Sequence, residues 1–397
     1  MKRTLLFVFR IVLISVHVGC TAPEKENIIT VKNPLKISRS FETVTIDIKS
    51  LSFQVKNEDG FPKHFRIEDV TSSLELISQA VDTNDDNQAD LLLFQPKLKP
   101  GEEKKYRITA KYTKAKVDTV PNCYSRFIPE RTDDYAWENN RVAFRTYGPT
   151  AQKMKEDNVP GGTLSSGIDA WLKRVEYPII NNWYKKELET DGTYHEDTGE
   201  GLDNFHVGVS RGIGGISVKT DSTYHFSKNF SKWERLYNGP IRTAFVLTYA
   251  NWDANGRTII EEKHISLDYG SNLSKFEVHI SGTDTISVGL TLHENDGEAT
   301  TALDRGFISY WQPHKESELG TAIVAKDGEM VAYEKYLSDK IDESNAYAHF
   351  NVDEGKVTYY AGFGWKKSGQ YDSKQEWETY LHHFSNKLNH PLEVFVP

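Results

Sequence analysis

The sequence predicts a mainly β protein: a small β-sandwich over residues 21–116, then a large antiparallel β architecture over residues 117–397 with a few short helices. Three observations predict it. Short alternating segments such as Phe65-Arg66-Ile67 and Lys105-Tyr106-Arg107-Ile108-Thr109-Ala110 fill residues 28–112, separated by Pro, Gly and Asp turns. Strand-like runs recur beyond them, among them 141–147, 241–249, 258–267, 275–280, 286–292, 321–325 and 357–362. A hydrophobic content of 38 % over 397 residues is enough for one large core and a smaller one.

The chain begins Met1-Lys2-Arg3, continues through an apolar run over residues 5–18 and reaches Gly19-Cys20, the charged, hydrophobic and small-residue order of a secretory signal over residues 1–20. The glycine before Cys20 makes that cysteine the expected lipidation site, although His17 stands where such sites carry an aliphatic or small residue. The expected location is the periplasm or cell envelope, with the outer membrane reached only through a lipid on Cys20. No later apolar stretch approaches the roughly 18 residues that span a bilayer. A lipidated Cys20 leaves Cys123 unpaired, so Cys123 is expected as a shielded thiol. The net charge of -9, without a Lys/Arg run, excludes a nucleic-acid partner.

Two segments carry apolar residues at helical spacing. Residues 373–388 place Trp377, Tyr380, Leu381, Phe384 and Leu388 on one stripe, and residues 166–186 do the same with Ile168, Trp171, Leu172, Val175 and Ile179, where Pro178 must end or kink the helix. Between strands of the first unit, Asp82, Asn84, Asp86 and Asp90 stand at positions one, three, five and nine of a loop, a spacing that can wrap a structural Ca2+. The glutamate expected at position twelve is absent, and a solvated acidic turn explains the same residues.

The chemistry-bearing residues lie further on. Residues 193–206 pack Tyr194, His195, Glu196, Asp197, Glu200, Asp203 and His206 around two glycines, the composition of a functional loop. Its histidines and carboxylates also suit zinc, manganese or calcium, but the run lacks a His-Glu-x-x-His helix. In residues 139–147, alternation sends Val142, Phe144 and Thr146 to one face and Asn139, Arg141, Arg145 and Tyr147 to the other. Upstream, Tyr124, Arg126 and Arg131 add phenol and guanidinium, the latter shaped to hold a carboxylate or sulfate by paired hydrogen bonds. Arg211 lies in the glycine-rich run Gly208-Val209-Ser210-Arg211-Gly212, which lets backbone approach a ligand but is not a nucleotide fingerprint. Trp171 is a candidate stacking surface for sugar rings, although most such rings are core. Ser165-Ser166-Gly167 is not a nucleophile elbow, so Ser/His/Asp hydrolysis is set aside.

The run from Glu138-Asn139-Asn140-Arg141 to Tyr147-Gly148-Pro149, the segment Tyr194-His195-Glu196-Asp197-Thr198-Gly199-Glu200-Gly201, then Gly214-Gly215, Asn238-Gly239-Pro240-Ile241-Arg242-Thr243 and Tyr359-Tyr360-Ala361-Gly362-Phe363-Gly364-Trp365 resemble a family of unknown-function domains from bacterial polysaccharide-utilisation loci. That family includes an oligosaccharide dehydratase of ulvan breakdown. The resemblance implies a galactose-mutarotase-like supersandwich with its site on the concave face of the larger sheet. It also implies a lyase that removes water from a terminal uronic acid to leave a 4,5-unsaturated sugar. The residue roles come from that chemistry. Arg126, Arg141 and Arg145, with Tyr124, Arg211 and Trp171, are expected to hold an acidic oligosaccharide. His195 is the expected base, Tyr147 or Tyr194 the acid, and Glu200 and His206 the further catalytic candidates. No cofactor is required for this elimination. A polysaccharide lyase acting by the same elimination, or a non-catalytic glycan-binding lipoprotein, are the alternatives.

Overall fold

The computed structural model describes residues 27–51, 64–111, 121–340 and 342–396; the expected signal and Cys20 lie outside them. Among these residues antiparallel strands dominate, and three helices of eight residues or more accompany them. The first unit is a sandwich. One sheet orders Glu393–Phe395, Asn27–Lys32, Glu103–Lys111, His64–Asp69 and Glu75–Leu76, and it faces a three-stranded sheet of Val44–Asp47, Leu91–Phe94 and Ser78–Val81. Strand alternation sends Ile29, Val31, Val44, Ile46, Ile67, Leu92, Phe94 and Ile108 into one core between the two. The last strand of the chain, Glu393–Phe395, pairs with Asn27–Lys32, so this sandwich is closed by residues from both ends of the sequence.

The larger unit is also layered. A nine-stranded sheet runs Phe230–Tyr237, Arg242–Tyr249, Arg257–Asp268, Leu273–Ser281, Lys356–Trp365, Ser317–Val324, Phe307–His314 and Glu298–Ala302, with Trp252–Ala254 paired to Arg257–Asp268. Two five-stranded sheets accompany it: Tyr124–Ile128, Asp134–Glu138, Ala143–Thr146, Asp169–Lys173 and Gly201–Leu202 in one, and Thr223–His225, Ile213–Thr220, Thr285–Thr291, Asn345–Asn351 and Met330–Tyr336 in the other. Side chains of all three sheets, including Trp137, Phe144, Ile216, Phe245, Ile265, Phe276, Val288 and Tyr359, merge into one core. The protein is thus the β-rich sandwich architecture that its alternating segments predict.

Helix α1 is Pro149–Glu156, α2 is Ile180–Glu189 and α3 is Lys374–Asn389. The expected helix near the C-terminus is α3: Ser373 caps it by accepting from the Glu376 amide, and Trp377 and Leu381 pack on Leu273, Phe307 and Val324 of the nine-stranded sheet. The expected helix over 166–186 is corrected. Residues Asp169–Lys173 form a strand, and α2 starts only after Pro178. Ile168, Ala170 and Leu172 face the main core while Trp171 faces α2, so the strand is buried on both sides and its apolar run imitates a helical stripe.

Candidate active site

The strand Ala143–Thr146 is buried along its whole length. Phe144 enters the core, but the other face, expected as a cationic face for an acidic sugar, lies under α2 and the segment before Gly201–Leu202. There Arg145 is engaged on all three guanidinium nitrogens. Nε and one terminal nitrogen donate to Asp169 Oδ2 at 3.0 and 2.6 Å, the same terminal nitrogen donates to Asp203 Oδ2 at 2.9 Å, and the other donates to the Tyr194 hydroxyl at 3.2 Å. Trp171 and Tyr147 each place a ring 5.2 Å from the guanidinium carbon. The Tyr147 hydroxyl donates to Asp169 Oδ2 at 3.3 Å, and Tyr184 donates to Asp134 at 3.0 Å.

Burial sets the electrostatics of this cluster. It pushes the Asp134 carboxyl up to about 6 against the pull of Arg145 and Arg131. Burial, with the adjacent Asp203 charge, holds Asp169 well above the usual carboxylate range. Asp134 Oδ1 and Asp169 Oδ1 have no hydrogen-bond partner among the described residues, as suits carboxyls that retain a proton more readily than usual. Arg145 is buried and faces the carboxyl groups of Asp134, Asp169 and Asp203, so its guanidinium is spent on the protein's own groups rather than on a sugar carboxylate. It anchors the loop that carries Asp203.

That loop joins the cluster to a cleft. Asp203 is buried against Arg145, whereas the next residue, Asn204, lines a cleft of about 530 Å3 together with His206, His293, Gln312, His314 and Asp342. The cleft is built where the loop meets the ends of Thr285–Thr291, Phe307–His314 and the segment before Asn345–Asn351. His206 Nε2 stands 2.9 Å from Asp342 Oδ2, and its side chain is 69 % exposed, so this imidazole backed by a carboxylate is open to solvent. Gly208 makes the approach possible: its φ is +51°, and a Cβ there would overlap the Asp342 carboxylate. His293 Nε2 donates to the His206 carbonyl at 2.9 Å, and His314 Nε2 meets Asn204 Oδ1 at 2.8 Å. Burial lowers both imidazoles, His314 to about 4, so both are neutral near pH 7. Lys315 and Lys340 line the same cleft beside the carboxylates of Glu294, Asp296 and Asp339, and Lys340 stands 3.5 Å from Glu343.

The structure brings together Arg145, Tyr147, Trp171, Tyr194 and His195 in and beside the buried cluster. The His195 ring lies edge-on to Tyr194 at 4.7 Å, and its Nδ1 faces the Asp203 carbonyl at 2.7 Å. A carbonyl only accepts, so Nδ1 carries the proton and the half-exposed ring presents Nε2 as an acceptor. Trp171 is fully buried against Trp183, Tyr184 and Tyr194 and offers no face to a sugar. Glu200 accepts from Tyr177 and Trp183 and fastens the loop to α2.

The remaining arginines are dispersed. Arg126 pairs with Glu130, while Tyr124 meets Asn181 at 3.4 Å. Arg141 donates to Asn272 and lines a separate groove beside α3. Arg211 is fully buried, donates to Ser166 and the Val209 carbonyl, and sits 3.7 Å from the Phe226 ring centre, out of reach of a ligand. In the expected calcium loop, Asp82, Asn84, Asp86 and Asp90 each accept from a backbone amide, a ladder of side-chain turns. Sequence reasoning missed Asp134, Asp169, His293, His314 and Asp342. Each comes from a different strand or loop, and no local spacing marks them.

A family model described as a domain of unknown function, DUF4861, matches residues 31–394. The protein P7 of Formosa agariphila, described as uncharacterized, is 55 % identical over 398 residues and covers 100 % of both chains. Among solved structures, a glycosyl hydrolase family 38 protein of Enterococcus faecalis matches with a TM-score of 0.52 at 12 % identity, over 95 % of this chain and 48 % of that one. An α-mannosidase of the same species matches at 12 % identity and a TM-score of 0.48, over 94 % of this chain and 46 % of that one. The chain spans about half the length of these two structures, and the likeness concerns fold. With the family model spanning nearly all the described residues, the chain belongs to the DUF4861 family.

Proposed function

We propose that the protein is an oligosaccharide dehydratase that eliminates water from a terminal uronic acid of ulvan-type sugars. The observation that carries this reading is the cleft in which the His206–Asp342 pair, two neutral imidazoles and two lysines meet. Elimination needs three things there. Cations must neutralise the uronate carboxylate so that the proton on C5 becomes acidic, a role for Lys315 and Lys340. A base must remove that proton, and His206 oriented by Asp342 is the exposed imidazole of the cleft. A proton must reach the departing C4 hydroxyl. The C5–H and C4–O bonds break, a C4–C5 double bond forms, and water leaves. His195, at the other end of the same loop, is the second candidate base through its free Nε2.

In this reading the fold likeness to a glycosyl hydrolase family 38 protein supports the carbohydrate class, and the Gly19-Cys20 leader supports action in the cell envelope with Cys20 lipidated. The test is mass spectrometry of glucuronate-ended ulvan oligosaccharides incubated with the chain lacking the residues before Thr21. Loss of one water at unchanged chain length is expected, with the ultraviolet absorbance of a conjugated uronate. Shortened oligomers would identify a polysaccharide lyase instead. Retained binding with unchanged mass would identify a glycan-binding protein.

A further inference from the structure

On the opposite side of the nine-stranded sheet from its core, two neighbouring strands carry a square of metal-ligand side chains. Glu262 and His264 stand on Arg257–Asp268, and Glu277 and His279 on Leu273–Ser281. The antiparallel register sets Glu262 opposite His279 and His264 opposite Glu277, so all four project from one face. One donor atom from each of Glu262, His264 and His279 lies within 4.8 Å of the other two; among the described residues no other group of His, Cys, Asp and Glu side chains converges this way. The two imidazole rings lie 4.5 Å apart and nearly parallel, at 22°. Their side chains are 37 % and 39 % exposed, and that of Glu262 is 40 % exposed, so an ion can enter from solvent.

We propose that Glu262, His264 and His279 bind one divalent ion of the zinc class. Zinc bonds of about 2.0–2.2 Å place tetrahedral ligands about 3.3 Å apart, so the three donors reach a common ion by shifts below about 1 Å each. His264 Nε2 is already 2.8 Å from Glu262 Oε1. Glu277 has a different task. It meets His279 Nε2 at 3.0 Å and is held by Lys275 and Lys356 at 3.4 and 3.2 Å, so it orients the imidazole. Two neutral imidazoles and one carboxylate leave the ion a net positive charge and a fourth position for water or a ligand oxygen. The next rung of the same face, Ser266 opposite Lys275, lines the groove of about 490 Å3 that also contains Arg141 and Arg242. The open position therefore faces the same side as that basic groove.

The experiment is calorimetric titration of Zn2+ into the chelator-treated chain lacking residues before Thr21. One equivalent per chain is expected to disappear in both His264→Ala and His279→Ala, and to bind about 10- to 100-fold more weakly in Glu277→Gln. His206→Ala, in the cleft, keeps that equivalent. Co2+ gives visible d–d bands of a tetrahedral site in the parent chain and not in His264→Ala. Far-ultraviolet circular dichroism is expected to be unchanged in these variants, because the side chains are partly exposed. Absence of saturable binding, or a stoichiometry untouched by both histidine substitutions, overturns the site.

Discussion

The guanidinium of Arg145 meets the carboxylate of Asp203 at 2.9 Å inside the protein, and the residue that follows, Asn204, faces the cleft. A buried ion pair therefore sets the path of the loop that ends at His206. Removing one partner of such a pair leaves an uncompensated charge, at a cost on the order of 3–5 kcal/mol. Asp203→Asn is expected to lower unfolding free energy by several kcal/mol in urea titrations. Arg145 keeps its hydrogen bonds to Asp169 and Tyr194, so the variant folds, and the rate of the proposed dehydration is expected to fall at least about tenfold as the loop loses its register. An unchanged urea midpoint would mean that Asp203 contributes little to the cluster.

The cleft makes a sharper prediction. His206 is exposed, so His206→Ala is expected to leave stability within about 0.5 kcal/mol while lowering kcat by about 100- to 10,000-fold. Gly208→Ala forces its new methyl group against Asp342 and is expected to lower kcat by displacing the carboxylate that orients His206. If His195→Ala rather than His206→Ala abolishes turnover, the base lies at the other end of the loop.

The strand architecture was legible because residues such as Val44, Ile46, Ile265 and Leu267 alternate with polar neighbours on strands buried on one side only. Alternation also separated Arg145 from Phe144. It did not show that the Arg145 face is covered, because its cover comes from distant chain: Asp169 lies 24 residues away and Asp203 58 residues away. The same limit hid the cleft. His206 stood out by its loop composition, whereas His314 ends a strand and His293 and Asp342 lie in loops, which only the sheet order brings together. Helix α2 was misplaced because Trp171 and Leu172 are apolar on opposite faces of a doubly buried strand, a pattern that hydrophobic period alone does not distinguish from a helix.

The start of α2 depends on another buried pair. Lys173 Nζ lies 2.8 Å from Glu138 Oε2 with both side chains fully excluded from solvent, and the Glu138 carboxylate also accepts from the Ile179 and Ile180 amides. The carboxylate thus satisfies amides that the first helical turn leaves without partners. Lys173→Met is expected to cost about 3–5 kcal/mol, and the double variant Glu138→Gln with Lys173→Met less than the sum of the singles, because the second change removes the stranded charge. Denaturant midpoints of the four chains check this; additive losses would show that the two residues act independently.

His314 links the cleft to acid sensitivity. Burial lowers its imidazole to about 4, with His293 and Lys315 lowering it further, against about 6.5 in an unfolded chain. Between those values the unfolded state binds the extra proton, so stability rises with pH there and is lost as pH falls below about 6.5. From pH 7 to pH 5 this one group is expected to remove on the order of 2 kcal/mol. Asp134 opposes it: its folded carboxyl, at about 6, takes up a proton before the unfolded one does, so acidification favours the fold at that position. The two contributions are separated by His314→Asn, whose side chain cannot titrate. Urea unfolding at pH 7 and pH 5 is expected to show a smaller loss for His314→Asn than for the parent chain, by about 2 kcal/mol. Equal losses in the two chains would mean that His314 takes up its proton in the folded cleft as easily as in water, and that the cleft keeps no neutral imidazole at this position.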